Sequence, residues 1–304
     1  MAKRLTLLVD TSSLVYRALF SNPDSISTAD GQPINAAYGF LSMLARLVVD
    51  QDPAFLACAT DEAWRPDWRV ELLPDYKSAR ALPGSAQEEA EERLEPQMPT
   101  MFRLLEALEI PVVGFDGYEA EDVIGTLAAR AKGPVAIVSG DRDLFQLVRD
   151  PRVWVLYPKK GVSDLAVVNE TYIQDKFGIP GRRYLDYAVL RGDPSDGLPG
   201  VRGIGEKTAS ALISAHGSLA KVVAAARKTP GAPALGKVAR DLDYVERARR
   251  VASIPTDLPI PEVDLTRPLP EPDEETLTFA RKSGLSGPVG RLVAALHRTS
   301  SPAD

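Results

Sequence analysis

The stretch LRGDPSDGLPGVRGIGEKTA, residues 190–209, sets Asp193 and Asp196 three positions apart, directly ahead of a glycine-rich turn and a helix. Carboxylates repel phosphate, whereas a glycine turn feeding a helix N-terminus attracts it through backbone N–H groups and a positive dipole end. A divalent cation reconciles the two, because a bound ion inverts the sign of an acidic site. The same kind of acid recurs upstream: Asp10 after RLTLLV, Asp61 after PAFLACAT, Glu119, Glu121 and Asp122 in GYEAEDV, and Asp141 and Asp143 in SGDRD. Two carboxylates 4 Å apart repel by about 1 kcal/mol in bulk water and about 4 kcal/mol at an effective dielectric of 20. These nine groups, if gathered in one place, exceed what a marginally stable domain tolerates unless cations bind them. Oxygen donors with no Cys or His beside them select hard ions, Mg2+ or Mn2+. Two such ions serve phosphoryl transfer.

The elements around these acids tell whether they converge. Residues 4–10, 53–61 and 134–143 are short apolar runs that each end in aspartate, the form of a buried parallel strand. Helical periodicity fills the intervals at 36–49 and 101–108. Strand and helix in alternation predict an α/β fold with a mostly parallel sheet, whose ligands collect beyond the carboxyl ends of the strands. Asp10, Asp61 and Asp141 fall there. If Glu119 opens a helix, it shares a face with Asp122. Acids in a first turn also complement the helix dipole, for roughly 0.3–1 kcal/mol each, which suffices for one such group but not for all of them.

Residues 180–250 are helix-rich with glycine turns and read as a smaller helical unit. Proline density then rises, predicting an extended segment that runs back over the surface, a last helix at 275–283 and a frayed tail. The charge run at 84–96, GSAQEEAEERLEP, reads as a solvated helix or mobile loop.

Composition narrows the class. Of the 304 residues 44% are hydrophobic and 26% charged, as in soluble globular proteins. The single cysteine, Cys58, excludes an internal disulfide framework and suits a reducing cytoplasm. No apolar run approaches the roughly 20 residues of a membrane span, and the start is too soon polar for a signal peptide. Both histidines, His216 and His297, read as structural. A net charge of −6 argues against a non-specific nucleic-acid binder, but removing nine metal-bound negative charges from it leaves +3.

Two rival readings of the glycine turn fail. A Walker loop needs Gly-Lys-Thr in succession, and Glu206 separates Gly205 from Lys207; a dinucleotide fingerprint needs glycine where Thr208 stands. A helix-hairpin-helix that grips a nucleic-acid backbone is left.

At this point the chain resembles the bacterial and phage 5′ nucleases, which include the 5′ nuclease domain of DNA polymerase I and free-standing flap endonucleases. The matching segments are LVDTSSLVYRA (8–18), AAYGF (36–40), WRVELLPDYKSAR (68–80), GYEAEDV (117–123), SGDRDLFQL (139–147) and GDPSDGLPGVRGIGEKTA (192–209). The resemblance implies a PIN-like catalytic domain over 1–178 with a helical arch at about 64–100, a helix-three-turn-helix DNA-binding region over 179–255, and a C-terminal segment over 256–304 that packs back. It makes the nine acids the metal-binding cluster, with Asp10, Asp61, Glu119, Glu121 and Asp122 nearer one ion and Asp141, Asp143, Asp193 and Asp196 nearer the other. Arg69 and Lys77 become catalytic cations that offset charge on the reacting phosphate. Tyr16, Arg17 and Arg80 become DNA contacts, and Tyr76 is placed to stack on a base. The turn residues Gly200, Arg202, Gly203, Gly205, Lys207 and Thr208 follow as phosphate-binding positions. Backbone carbonyls of Leu190, Arg191, Pro199, Val201 and Ile204 match a monovalent-cation site, usually K+. Two positions depart from the bacterial pattern: Glu121 stands where Asp is usual, and Gly197 where Asn is usual.

The implied activity is two-metal hydrolysis of DNA at 5′ ends, 5′ flaps and nicks by a monomeric, free-standing nuclease of replication and repair. A DNA-structure binder without metal chemistry and a PIN-type ribonuclease are the alternatives. The full acid set weighs against the first, and the hairpin with its arch residues against the second.

Overall fold

The computed structural model describes residues 4–298. The apolar runs form strands β1 (Thr6–Asp10), β2 (Phe55–Ala59), β3 (Val112–Val113), β4 (Val135–Val138), β5 (Val153–Pro158) and β6 (Leu165–Val168). They make one sheet in the order β3-β2-β1-β4-β5-β6. All neighbours are parallel except β5 and β6. The mixed α/β fold with a mostly parallel sheet is therefore present. β1 is buried at every position, as a central strand covered on both faces must be. Its pleat sends Leu7 and Val9 into one core and Leu8 into the other, and β4 repeats this with Ala136 and Val138 against Val135 and Ile137.

The helices are α1 (Thr11–Ser21), α2 (Asn35–Gln51), α3 (Asp67–Leu72), α4 (Ala86–Leu94), α5 (Met98–Ala107), α6 (Ala120–Arg130) and α7 (Glu170–Phe177) in the first part. α8 (Tyr184–Arg191), α9 (Glu206–His216), α10 (Leu219–Lys228), α11 (Pro233–Arg240), α12 (Leu242–Val251), α13 (Glu274–Lys282) and α14 (Ser286–His297) follow. α1, α2, α5 and α14 supply the core on one face of the sheet, and α6 with α8–α12 the core on the other. β1 lies between β2 and β4, so the connections leave it in opposite directions. Such a switch point opens a crevice at the carboxyl ends of the strands.

The C-terminal part differs from the sequence expectation. The proline-rich segment is extended: Leu56 N–H donates to Leu265 at 2.7 Å, and the Arg130 guanidinium donates to the carbonyls of Leu258 (2.6 Å) and Ile260 (2.7 Å). Gly125 in α6 admits this segment, since a Cβ there would lie 2.5 Å from the Pro255 carbonyl oxygen. After α13, residues expected to fray form α14, which buries Val289, Leu292 and Leu296 in the core beneath α2. The tail at 299–304 lies outside the described residues. The acidic run is helix α4, capped by Ser85 and anchored by the buried Ala90. Among the described residues no single helix is long and apolar enough to cross a membrane.

Candidate active site

Asp10 ends β1 and caps α1. Its Oδ1 accepts from the Ser13 backbone N–H at 3.0 Å, and its Oδ2 accepts from the Ser139 hydroxyl at 2.5 Å. The Ser139 oxygen accepts in turn from the Asp141 N–H (2.9 Å), and Asp141 Oδ1 accepts from the Asp143 N–H (2.8 Å). Ser13 Oγ closes the loop by accepting from the Gly140 N–H at 2.8 Å. The ends of β1 and β4 are thereby pinned to each other. Asp61, two residues beyond β2, accepts from the Ala120 N–H at 2.7 Å, which draws the first turn of α6 to the same edge. That turn is a capping box in which Glu119 and Asp122 cap each other's backbone.

A layer of cations lies beneath α6. Arg69 has 0% exposure; its guanidinium pairs with Glu119, with Glu121 at 3.0 Å and with Asp122 at 2.7 Å. Its Nε donates to the Val251 carbonyl at 3.0 Å, at the C-terminus of α12. Lys77 Nζ donates to Glu119 Oε1, and the Tyr76 hydroxyl donates to Glu119 Oε2 at 2.7 Å. These contacts define the surroundings of three expected site residues. Tyr76 is only 4% exposed and its hydroxyl donates to Glu119. Arg69 is a buried counter-ion to three acids and is not directed at the cleft. Asp122 has Oδ1 on Arg69 and Oδ2 on the Glu119 N–H, so it supports the helix start from inside.

Asp193 and Asp196 follow α8. Asp196 Oδ1 accepts from Arg80 at 2.6 Å, and its carbonyl accepts from the Lys77 N–H at 3.0 Å. Arg191 donates to Asp193 at 3.2 Å. Gly197 adopts φ 72° and has no room for a side chain: a Cβ would stand 1.9 Å from the Asp75 carbonyl oxygen.

The acids carry the electrostatic mark of a site that wants cations. Burial first, then Asp61, pushes Asp10 up to about 7, against the hydrogen bonds from Ser139 and Ser13. Burial raises Asp122 to about 6 despite Arg69, and Asp196 to about 6 despite Lys77. Glu121 is held well above the usual carboxylate range by burial and by Glu119 and Asp141, although Arg69 opposes them. Asp143 is raised likewise by burial, Asp141 and Asp196. Oxygens of Glu121, Asp141 and Asp143 lie within 4.8 Å of one another, a spacing that a single hard ion spans.

The hairpin turn lies beside this edge. The Val201 N–H donates to the Leu190 carbonyl at 3.0 Å and the Ile204 N–H to the Val201 carbonyl at 2.9 Å. Gly192 and Gly200 let the two strands of the turn touch, since a Cβ on Gly200 would lie 2.3 Å from the Arg191 oxygen. The Tyr244 hydroxyl accepts from the Gly200 N–H (2.8 Å), Asp241 accepts from the Arg202 N–H (3.0 Å), and Lys237 donates to the Gly203 carbonyl (2.8 Å). Gly205 caps α9 with no side chain, so the first-turn N–H groups keep their capacity to bind an anion. Lys207 is exposed and Thr208 half-buried in that turn.

The chain matches the family model "5′-3′ exonuclease, N-terminal resolvase-like domain" over residues 5–178 and "5′-3′ exonuclease, C-terminal SAM fold" over 179–275. It is 46% identical over 301 residues to a 5′-3′ exonuclease of Streptomyces coelicolor, covering 95% of this chain and 99% of that one. The chain belongs to the 5′-3′ exonuclease family. A 5′-3′ exonuclease of Mycobacterium tuberculosis is 40% identical over 308 residues, with 95% and 97% covered. The T5 D15 protein co-crystallised with metal ions superposes with a TM-score of 0.68 at 17% identity, over 97% of this chain and 100% of that one, which shows a shared fold.

In this family member the acids fall around two clefts. The first, about 670 Å3, is lined by Asp10, Asp61, Glu119, Glu121 and Asp141 together with Tyr16, Arg17 and Lys77. The second, about 650 Å3, is lined by Asp193 and Asp196 and runs to the start of α9. Asp141, Gly140 and Arg80 border both. Across the two clefts, Glu121 groups with Asp141 and Asp143. Sequence reading missed Ser13 and Ser139, the hydroxyls that hold Asp10, Gly140 and Asp141 in register. Their signal was the small polar residue beside the aspartate in both LVDTSS and VSGDRD.

Proposed function

We propose that this exonuclease hydrolyses DNA phosphodiesters at free 5′ ends, nicks and 5′ flaps, using two divalent cations, Mg2+ or Mn2+. The reading rests on one observation above all: acids from five separate segments meet at one sheet edge, and four of those segments each hold a carboxyl with raised proton affinity. The donors there are carboxylates, and both histidines lie elsewhere, at the ends of α9 and α14. The donor set fits hard ions. When bound, such ions neutralise charge on the scissile phosphate and lower the pKa of water.

Around them the chain's own groups divide the labour. Asp10, Asp61, Glu119, Glu121, Asp141, Asp143, Asp193 and Asp196 hold the ions, with Asp122 and Arg69 beneath them. Lys77, at the lip of the first cleft and bonded to Glu119, offsets charge on the reacting phosphate. Tyr16, Arg17 and Arg80 line the path of the strand near the acids. The uncapped start of α9 with Gly200, Arg202, Gly203, Gly205, Lys207 and Thr208 binds phosphates further along. Carbonyls of Leu190, Arg191, Pro199, Val201 and Ile204 hold K+ at the turn. Residues 1–178 then cut and 179–255 grip duplex, as a monomer in the cytoplasm.

The deciding experiment incubates labelled 5′-flap DNA and matched RNA with Mg2+ or Mn2+, comparing wild type with Asp141→Ala. Flap DNA should be cut by wild type and only bound by the variant. Wild-type binding without cutting would favour a DNA-structure binder, and cutting of RNA alone a ribonuclease.

A further inference from the structure

The second cleft contains three arginines, Arg80, Arg142 and Arg191. Two are already neutralised: Arg80 pairs with Asp196 at 2.6 Å, and Arg191 with Asp193 at 3.2 Å and Glu206 at 3.6 Å. Arg142 differs. It is exposed and, among the described residues, takes part in no ion pair. Tyr157, from β5, lines the same cleft. Gly205 and Glu206 line the same cleft, so the uncapped first turn of α9 opens into it as well. A guanidinium without an ion pair among the described residues and a helix N-terminus on the walls of one cleft form a site for a phosphate group, which both bind through N–H donors.

We propose that Arg142 binds a DNA backbone phosphate adjacent to the scissile one, linking the acid cluster to the hairpin turn. The inference rests on the nuclease reading above and adds to it a contact outside the acids, the arch and the turn. A residue between two acids is suited to this task. Its charge keeps the strand's neighbouring phosphate from being repelled by Asp141, Asp143 and Asp193.

The test measures binding of labelled 5′-flap DNA in Ca2+ across a salt series, for wild type, Arg142→Met and Arg142→Lys. Cleavage in Mg2+ is followed in parallel, with single phosphates near the cut replaced by uncharged methylphosphonates. Arg142→Met should bind roughly ten-fold more weakly, and its salt slope should fall by about 1. Arg142→Lys should keep the salt slope and lose part of the affinity. One methylphosphonate position should weaken wild type and leave Arg142→Met unaffected. Unchanged affinity and salt slope with a lowered kcat would overturn the proposal, because Arg142 would then act only through its neighbouring acids. Additive losses at every methylphosphonate position would overturn it too. The methylphosphonate scan on wild type and Arg142→Lys decides the matter even if Arg142→Met folds poorly. Failure of wild type to bind or cut flap DNA at all would instead strike the nuclease reading.

Discussion

The Ser139 hydroxyl bridges Asp10 and the backbone of Asp141: it donates to Asp10 Oδ2 at 2.5 Å and accepts from the Asp141 N–H at 2.9 Å. One side chain therefore sets the relative position of acids on two neighbouring strands. Removing it leaves a buried carboxylate oxygen and a backbone N–H without a partner. Ser139→Ala should lower apparent Mn2+ affinity in cleavage assays by about 10- to 100-fold, the usual effect of losing a group that orients metal ligands. Stability should fall by roughly 1–3 kcal/mol, read by urea unfolding. An unchanged Mn2+ titration would mean that the backbone alone positions Asp10.

The raised proton affinities make a prediction about pH. Asp10 moves from 3.8 to about 7, and Asp122 and Asp196 each to about 6. A group with a folded-state value above its unfolded one favours folding while protonated, and that contribution is lost as pH rises through the folded value. Metal-free protein should thus lose stability between about pH 5 and 8, by several kcal/mol in total, with Tm falling by about 5 °C or more. Mg2+ or Mn2+ should restore it, and the shift they cause should grow with pH because the ions compete with protons. Asp10→Asn should flatten the pH profile. Differential scanning fluorimetry with EDTA or Mn2+ across that range checks both.

Arg69 links the acids of α6 to the end of α12, through Glu119, Glu121 and Asp122 on one side and the Val251 carbonyl on the other. Replacing it with Leu strands three carboxylates beneath the cleft. The cost should be about 3–5 kcal/mol at neutral pH. Part of it should return at about pH 5, where the raised acids can take up protons. Arg69→Lys keeps the charge but loses the fork, so it should fall between the two. Urea unfolding at pH 5 and 7.5 measures this. A loss independent of pH would show that packing of the side chain, and not charge, is what matters there.

How much of this was legible in the sequence follows from where each signal resides. β1, β2 and β4 were readable because each buries an apolar run with an acid at its end or within three residues beyond it. β3 has two residues, and β6 alternates buried and exposed positions as an antiparallel edge strand does, so neither stood out. α14 was hidden by Gly287, Pro288 and Gly290 near its start, which lower its intrinsic helix preference although Val289, Leu292 and Leu296 keep the spacing. The acids were found by type and position. The burial of Arg69 and Tyr76 was not, because both are set by contacts with segments 43 to 182 residues away.

Gly197 offers a last test of the junction between arch and hairpin. It occupies the left-handed region at φ 72° and brings its backbone so near Asp75 that an added Cβ would stand 1.9 Å from the Asp75 oxygen. The same contact zone carries the Lys77 N–H to Asp196 carbonyl bond at 3.0 Å and the Arg80 to Asp196 pair at 2.6 Å. Gly197→Ala therefore has two costs, backbone strain and a forced retreat of the segment from Asp75 to Lys77. Stability should fall by about 2 kcal/mol or more. The retreat also draws Lys77 from Glu119 and Arg80 from Asp196, so kcat should fall further than unfolding alone explains. Measuring kcat at a temperature where circular dichroism shows the variant fully folded separates the two effects. Full activity in the folded variant would mean that the arch base and the hairpin can shift apart without disturbing the acids.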